Sequence, residues 1–253
     1  MVWHVSFLMQ KQATIAMPIH SNRRSLLLGA GAAAMLPALA RADDLSSHAA
    51  PDTRRQDYDV TWTGIPVGRH TVSVSEDGGP GDFTVTNQVD MMVDLLLFDV
   101  MRFEHTSVET WRDGRMVAFS STTLDDGDLF EVTVTATSEG LVFSTTERDT
   151  NNPDALIKET SAQAPHEIMT SNDIWVAPKP GNHALLNAKK GEIVDVTVLP
   201  PATTTLDYQG ASHEALRYQV TSPVAVGDLV YLGDLFVEGS FEKRGYTVDY
   251  RLV

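Results

Sequence analysis

The sequence of 253 residues contains no cysteine. This absence excludes disulfide bonds, thiolate metal ligands and cysteine nucleophiles. The fingerprints G-x-G-x-x-G and G-x-S-x-G are also missing, so nucleotide chemistry and serine hydrolysis have no support in the sequence. After residue 42, no apolar run approaches the about 20 residues of a membrane-spanning helix. We therefore expect no cofactor and no stable insertion in a membrane.

Basic residues are scarce: 19 lysines and arginines stand against 34 aspartates and glutamates, for a formal net charge of −15 at pH 7. A surface of this sign repels the phosphates of nucleic acids and anionic lipid headgroups. We therefore expect no nucleic acid partner. A basic protein partner is compatible with such a surface.

What is present is an export signal near the amino terminus. Arg23 and Arg24 precede a short apolar run, and Ala40 and Ala42 have the spacing of a peptidase site. The paired arginines are typical of the bacterial twin-arginine route. We predict that residues 1–42 are a signal peptide, that the twin-arginine translocase is a partner during export, and that the product is periplasmic or secreted.

The signal divides the chain into three parts. Translation from Met17 would give the signal a basic segment of ordinary length. Removal of residues 1–42 takes away four basic residues and no acidic one, which changes the net charge from −15 to −19. Residues 43–56 are polar with little apolar content, so we expect a mobile leader there. Residues 57–253 have the length of a single β domain.

Apolar and polar residues alternate with a period of two from Tyr58 onwards, as in Tyr58, Val60 and Trp62. This alternation is typical of half-buried strands, and glycine-rich or Asp-Gly turns separate its repeats. The sequence therefore predicts an all-β fold, an antiparallel rolled sheet or open barrel-like architecture of about ten to twelve strands. Beyond the first three strands, those predicted cover 99–111, 115–124, 129–138, 140–148, 194–198, 216–220, 228–232, 234–242 and 246–252.

Two segments depart from the strand pattern. Residues 151–190 contain several prolines, which oppose long regular elements, and we expect an irregular stretch there. Within it, residues 183–190 precede Gly191, and this combination predicts a short helix that ends at the glycine.

Short motifs follow one another along the mature domain, beginning with Y-x-V-x-W-x-G-I-x-V-G from Tyr58 to Gly68. The later motifs are Phe103-Glu104-His105, Glu109-x-Trp111-x-x-Gly114-Arg115-Met116, Trp175, Leu185-Leu186-Asn187-x-x-x-Gly191 and Gly245-Tyr246-x-x-x-Tyr250. In this order they resemble an exported bacterial family of unknown function. The resemblance implies a fold similar to the half-open β-barrels of periplasmic lipoprotein carriers, which hold acyl chains in a concave sheet. It thereby implies an apolar or lipid-like ligand.

One stretch differs from the family pattern. Where members tend to carry L-W-Y-D late in the chain, this sequence has V-Y-L-G-D over 230–234. The family pattern therefore supplies no role for Tyr231, the aromatic residue of that stretch.

Four large aromatic side chains are candidates for ligand contact, namely Trp62, Phe103, Trp111 and Trp175. Aromatic rings dominate the lining of ligand cavities. The same residues also serve as ordinary core residues, and that alternative stays open.

His105 and Glu109 share one face of the predicted strand 99–111 and are the candidate catalytic pair. An imidazole and a carboxylate in an aromatic setting sometimes perform acid–base chemistry, because burial and coupling shift their pKa values. The alternative is a buried polar pair that fixes strand register or bonds to a neighbouring turn.

No metal site is predicted. The acidic run 125–128 is compatible with calcium, but the alternating ligands of an EF-hand loop are absent and Asp-Gly is a strong hairpin signal. The histidines lack zinc spacings such as H-E-x-x-H. His70, which shares a face with Val72 and Val74, is typical of a core histidine.

Three interpretations of function follow. We favour a non-catalytic periplasmic binding or carrier protein that holds an apolar or lipid-like molecule against the four aromatic candidates. The second is an envelope hydrolase that uses the histidine and glutamate pair. The third is an interaction or structural protein without a small-molecule site, whose acidic surface binds a basic partner.

Overall fold

The computed structural model describes residues 53–76, 79, 81–95, 98–164, 168–172, 175–223, 225–243 and 245–253. These residues form sixteen β-strands and no helix. None of them belongs to a helix long and apolar enough to cross a membrane. The all-β prediction is confirmed, although sixteen strands exceed the predicted ten to twelve. The predicted signal peptide lies outside the described residues.

The strands follow the chain from end to end of the described domain. They are β1 Thr53–Trp62, β2 Ile65–Glu76, β3 Phe83–Leu95, β4 Phe98–Arg112, β5 Arg115–Asp125, β6 Asp128–Thr137, β7 Gly140–Asp149, β8 Asn152–Ala164, β9 Met169–Thr170, β10 Gly181–Leu186, β11 Ile193–Val198, β12 Ala202–Tyr208, β13 Ala211–Thr221, β14 Val226–Leu232, β15 Leu235–Lys243 and β16 Tyr246–Leu252.

All sixteen strands belong to one sheet, in the order β8-β7-β6-β5-β4-β3-β2-β1-β16-β15-β14-β13-β11-β10-β9, with β12 paired to β13. Every pairing is antiparallel except that of β9 with β10. Strands β1 to β8 form one meander, and the pairing of β1 with β16 joins it to the second half of the chain. The first and last strands thus lie together in the middle of the sheet.

Two-residue turns set the register of four hairpins. Thr63, Asp113, Asp126 and Gln209 have φ values of 47° to 51°, and each is followed by a glycine with positive φ. Two successive residues of positive φ produce the turn whose twist matches a β-hairpin. The Asp126-Gly127 pair is one of these turns, as expected from its sequence.

Two expectations about the middle of the chain are wrong. Residues 152–164, expected to be irregular, form β8, an edge strand that tolerates Pro153 because an unpaired edge needs no donor there. Residues 183–190 do not form a helix. Residues up to Leu186 pair with β11 in β10, because strand pairing satisfies their backbone groups, and a turn follows.

Strand β1 begins inside the segment expected to be a mobile leader. Residues 53–56 pair with β2, and Gln56 is only 4% exposed. Their side chains are polar, so these residues show no apolar alternation. Backbone hydrogen bonds to β2 hold them in place. Residues 43–52 lie outside the described residues.

The sheet bends so that one face of its strands encloses the main core, and we call this the inner face. Tyr58, Val60 and Trp62 all lie on it, as their alternation predicts, and join a cluster with residues from both halves of the sheet. A smaller apolar cluster of Leu206, Ala215, Val230 and Val237 packs apart from it.

Two chain segments pack against the inner face of strands β3–β7. We call residues 168–172 and 175–177 the inner segment, and residues 187–191 the turn segment. The inner segment contacts β4 through Thr170 and Asn172, and the turn segment contacts β5 through Ala188. The chain itself therefore occupies part of the interior of the rolled sheet.

Candidate functional site

Polar side chains form a band on the inner face of strands β1–β5. Strand pairing places Asn87 opposite Ser107 and His105 opposite Thr123. All members are at most 5% exposed. Buried polar groups of this kind normally have hydrogen-bond partners. The polar band comprises Gln56, His70, Asn87, His105, Ser107, Glu109, Ser121 and Thr123.

His105 is held by two polar neighbours. Its Nε2 lies 3.0 Å from Asn172 Nδ2, which also donates to Ser107 Oγ at 2.8 Å. Because an amide nitrogen only donates, Nε2 accepts, and Nδ1 donates to Thr123 Oγ1 at 2.7 Å. Burial lowers the pKa of His105 to about 3, so the imidazole is neutral.

Glu109 has different partners. Its Oε1 accepts a hydrogen bond from Thr170 Oγ1 at 2.7 Å, and its Oε2 accepts one from Trp111 Nε1 at 3.3 Å. The side chain is fully buried. The carboxylate therefore anchors the inner segment to β4.

The two candidate catalytic residues are not brought together. His105 and Glu109 lie four residues apart on β4, about 13 Å along the strand, and share no hydrogen-bond partner among the bonds described above. Both are buried. Buried groups engaged in this way position neighbouring elements, which corresponds to the structural alternative weighed from the sequence.

Two of the four aromatic candidates meet at one end of the strands. The rings of Trp111 and Trp175 lie 6.4 Å apart, edge to face, and Phe83 stacks on Trp111 at 5.5 Å. Both tryptophans are at most 7% exposed. They pack the inner segment against β3 and β4.

The other two candidates lie elsewhere. Phe103 precedes Trp111 by eight residues on β4, about 26 Å along the strand, and stacks on His105 at 6.3 Å. Trp62 lies on β1, three strands away from β4, and its ring centre is 5.7 Å from that of Tyr246. Each is 7% exposed. The four rings thus face the interior without forming one pocket.

The inner face of the other half of the sheet carries a series of aromatic side chains that the sequence analysis did not single out as a group. Tyr58 lies 5.2 Å from Phe236, and further ring contacts of 5.4 and 5.7 Å continue from Phe236 through Tyr231 to Tyr218. On the other side of Tyr58, the His70 ring lies between two tyrosines. Its centre is 6.1 Å from that of Tyr58 and 6.0 Å from that of Tyr250. We call this group the aromatic wall, which comprises Tyr58, Tyr218, Tyr231, Phe236, Phe241 and Tyr250.

A buried ion pair was also missed by the sequence analysis. Lys189 of the turn segment pairs with Asp125 of β5, and its Nζ lies 4.5 Å from the centre of the Phe130 ring. Burial lowers the pKa of the neighbouring Lys190 to about 8. The Leu185 to Gly191 motif was the available signal, because it contains both lysines.

No group of metal-ligating side chains occurs in the part of the chain that the structure describes. Within the acidic run 125–128, Asp125 bonds to Lys189 and Asp126 forms the hairpin turn. His70 is buried, and its Nε2 donates to Asn87 Oδ1 at 3.3 Å. Burial lowers the pKa of His70 to about 4.

A cleft of about 540 Å³ lies on β1 and β13–β16, on the face opposite to the interior. Six of its thirteen lining residues are charged, namely Asp59, Asp228, Glu238, Asp249, Arg217 and Arg251. Asp249 accepts a hydrogen bond from Ser240 Oγ at 2.7 Å. Its residues come from five separate strands, so no local sequence pattern indicates this cleft.

Comparisons with known proteins agree with this architecture. The family described as domain of unknown function (DUF6134) matches residues 58–253. No curated protein matches the chain. A crystal structure of a beta-barrel-like protein of domain of unknown function DUF1849 from Brucella abortus is similar, with a TM-score of 0.54 and 11% sequence identity over 79% of this chain and 95% of that chain.

At this identity, the crystal structure shows a common fold and no more. The fold is barrel-like, as the sequence predicted. The resemblance to a family of unknown function is confirmed, because the family match covers nearly the whole described domain. The chain therefore belongs to the family of domain of unknown function DUF6134.

Proposed function

We propose that this protein is a non-catalytic binding or carrier protein of the bacterial envelope, which holds an apolar or lipid-like molecule inside the rolled sheet. The observation that carries the proposal is the aromatic wall. Six large rings from β1 and β13–β16 line one side of the interior in successive contacts. Such a lining is typical of ligand-binding cavities.

The position of the inner segment favours one side of the interior for the ligand. The segment covers the β3–β4 side, where Trp111 and Trp175 pack against each other, and it also reaches the edge of the aromatic wall, where Val176 O accepts a hydrogen bond from Tyr231 OH at 3.3 Å. On the opposite side, Trp62 lies on the same strand and face as Tyr58 of the aromatic wall. The proposed ligand therefore contacts Trp62 and the wall, with Phe103 beyond them along the sheet.

The place of action follows from the amino-terminal signal. Arg23 and Arg24 with the apolar run and the alanines at 40 and 42 support export by the twin-arginine translocase, followed by cleavage after residue 42. That route carries folded proteins. We propose that the β domain folds before export and acts in the periplasm or outside the cell.

The hydrolase interpretation has less support. His105 is 4% exposed and neutral, and both ring nitrogens already have partners within the chain. A general base must reach a proton of the substrate. Neither His105 nor Glu109 is placed to do so.

Mass spectrometry of small molecules extracted from the purified periplasmic protein tests the proposal. We expect an apolar or acylated molecule in stoichiometric amount, absent from an equally purified soluble periplasmic protein used as a control. A protein free of such molecules, which also fails to bind acyl probes, would overturn the carrier function. Salt-sensitive capture of a basic protein in its place would favour the interaction hypothesis.

A further inference from the structure

We infer that Gln56, His70, Asn87 and Tyr250 form a hydrogen-bonding subsite beside the aromatic wall, which takes an uncharged polar group of the ligand, such as a hydroxyl or an amide. The inference rests on the proposed function and specifies the ligand class. It begins from the polar atoms of the interior that have no partner among the residues that the structure describes.

Five buried side-chain atoms in these four residues make no hydrogen bond within the described part of the chain. They are Gln56 Nε2, Gln56 Oε1, His70 Nδ1, Asn87 Nδ2 and Tyr250 OH. The four residues are between 0 and 4% exposed, so bulk water does not satisfy these atoms. Buried polar groups without partners are rare and call for an explanation such as a bound water molecule or ion. In a carrier protein, a polar group of the ligand can take that place.

Strand pairing gathers the four side chains on one part of the inner face. Gln56 of β1 lies opposite Val72 of β2, which lies opposite Asn87 of β3. His70 bonds to Asn87 at 3.3 Å, and the Tyr250 ring meets the His70 ring edge-on with centroids 6.0 Å apart. The unpartnered atoms therefore belong to one cluster of neighbouring side chains.

The rest of the polar band shows what completes such a surface. On β4, Asn172 and Thr170 of the inner segment supply partners to His105, Ser107 and Glu109, and on β5, Ala188 O of the turn segment accepts from Ser121. On β1–β3 the inner segment bonds to Arg54, but no described segment supplies a partner to the five atoms named above. A bound group would do for these atoms what the two segments do for β4 and β5.

The available atoms define the group that fits. His70 Nε2 donates to Asn87 Oδ1, which leaves Nδ1 as an acceptor and Asn87 Nδ2 as a donor. Gln56 offers both kinds of atom, and the Tyr250 hydroxyl acts as either. A group that both donates and accepts is therefore fully complementary. An ester only accepts and leaves His70 Nδ1 without a donor, and an alkyl end satisfies none of these atoms.

The charges near the subsite also favour an uncharged ligand group. His70 is neutral because burial lowers its pKa to about 4. Arg54, the next inner-face residue before Gln56 on β1, already donates to Trp175 O at 2.7 Å. A carboxylate or ammonium headgroup would be desolvated in the subsite without a counter-charge from its four residues, which is costly.

Competition binding with lipids of different headgroups tests the subsite. The assay measures how well each of three competitors displaces a fluorescent acyl probe from the protein. The competitors are monopalmitoylglycerol, methyl palmitate and palmitate. The proteins are the mature wild type and the variants Asn87→Leu, Gln56→Leu and Gln88→Leu. Gln88 is the matched control, because it neighbours Asn87 on β3 but is exposed on the opposite face. Thermal unfolding of each variant reports whether it is folded.

We expect monopalmitoylglycerol to bind the wild type about tenfold more tightly than methyl palmitate, as the loss of one or two buried hydrogen bonds implies. The Asn87→Leu and Gln56→Leu substitutions remove that preference, and Gln88→Leu preserves it. Affinity for methyl palmitate is the same in all four proteins.

Two outcomes would overturn the inference while leaving the carrier function intact. One is equal affinity for monopalmitoylglycerol and methyl palmitate, with folded leucine variants unchanged in binding, which would mean that the cluster holds only water. The other is a clear preference for palmitate, which would place the headgroup at Arg54. Failure of all three lipids to bind would instead overturn the proposed function.

Discussion

At the scale of single residues, the interior of this protein combines neutral polar groups with large aromatic rings. His105 shows the principle, because its two ring nitrogens each have one partner and its charged form is excluded by burial. The sequence indicated that His105 and Glu109 share one face of a strand. It did not indicate their partners, because Thr170 and Asn172 lie more than sixty residues away along the chain.

Asn172 is the residue whose removal tests this network most simply. The substitution Asn172→Ala removes the hydrogen bonds to His105 Nε2 and Ser107 Oγ and leaves both atoms buried. We expect a loss of about 2 kcal/mol in the free energy of unfolding, measured by urea denaturation. The exposed control Gln88→Ala should change stability by less than about 0.5 kcal/mol. Equal effects of the two substitutions would show that the network does not stabilise the fold.

The two buried histidines make stability depend on pH. The pKa values of His70 and His105 are lowered to about 4 and about 3, against an ordinary value of 6.5. Between these values and pH 6.5 the unfolded chain binds protons that the folded protein does not, so stability falls as the pH falls through this window. The expected slope is on the order of 1 kcal/mol per pH unit for each histidine.

Urea denaturation of the wild type and of the His70→Gln variant between pH 7 and pH 4 measures this effect. Carboxylates titrate in both proteins, so the difference between the two pH profiles isolates His70. We expect the variant to lose less stability on acidification. Identical pH profiles would contradict a neutral, buried His70 in the folded protein.

At the scale of elements, the strands with clear alternation were predictable and those held by backbone pairing alone were not. Strand β6 shows this alternation in Phe130, Val132 and Val134, and Asp-Gly turns follow β4 and β5. In β8, polar residues and a proline conceal an edge strand whose position depends on β7. The candidate site depends on such long-range packing, which no local pattern specifies.

Gly191 of the turn segment packs closely against β7. Gly191 and Gly210 both have positive φ, +65° and +78°, so alanine at either position is strained. A Cβ at Gly191 would lie 2.0 Å from Thr145 Oγ1 of β7, whereas one at Gly210 meets nothing within 4 Å. We expect Gly210→Ala to cost about 1 kcal/mol and Gly191→Ala about 3 kcal/mol.

Thermal or urea unfolding of the two alanine variants measures the difference. A Thr145→Ala substitution should recover part of the loss in Gly191→Ala, because it removes the atom with which the new methyl group collides. Equal stability of the two glycine variants would show that the turn segment does not pack against β7.

At the scale of the whole molecule, the proposed export signal precedes a barrel-like domain with an aromatic interior. The signal predicts that the precursor is processed after residue 42 and leaves the cytoplasm folded. Replacement of both Arg23 and Arg24 by lysine should abolish export, so that unprocessed protein accumulates in the cytoplasm of the producing bacterium. Cell fractionation and intact mass measure the result. Periplasmic, processed protein from the lysine variant would contradict the twin-arginine route.

The central claim is that an acyl-type ligand lies inside the sheet against Trp62 and the aromatic wall, away from Trp111 and Trp175. Quenching of tryptophan fluorescence by a brominated monoacylglycerol tests it most directly, because bromine quenches only a ring that it contacts. After signal removal the protein contains three tryptophans, Trp62, Trp111 and Trp175. The account predicts saturable quenching in the wild type and in Trp111→Phe, and its near-complete loss in Trp62→Phe. An unquenched wild type, or quenching that survives in Trp62→Phe and disappears in Trp111→Phe, would contradict it.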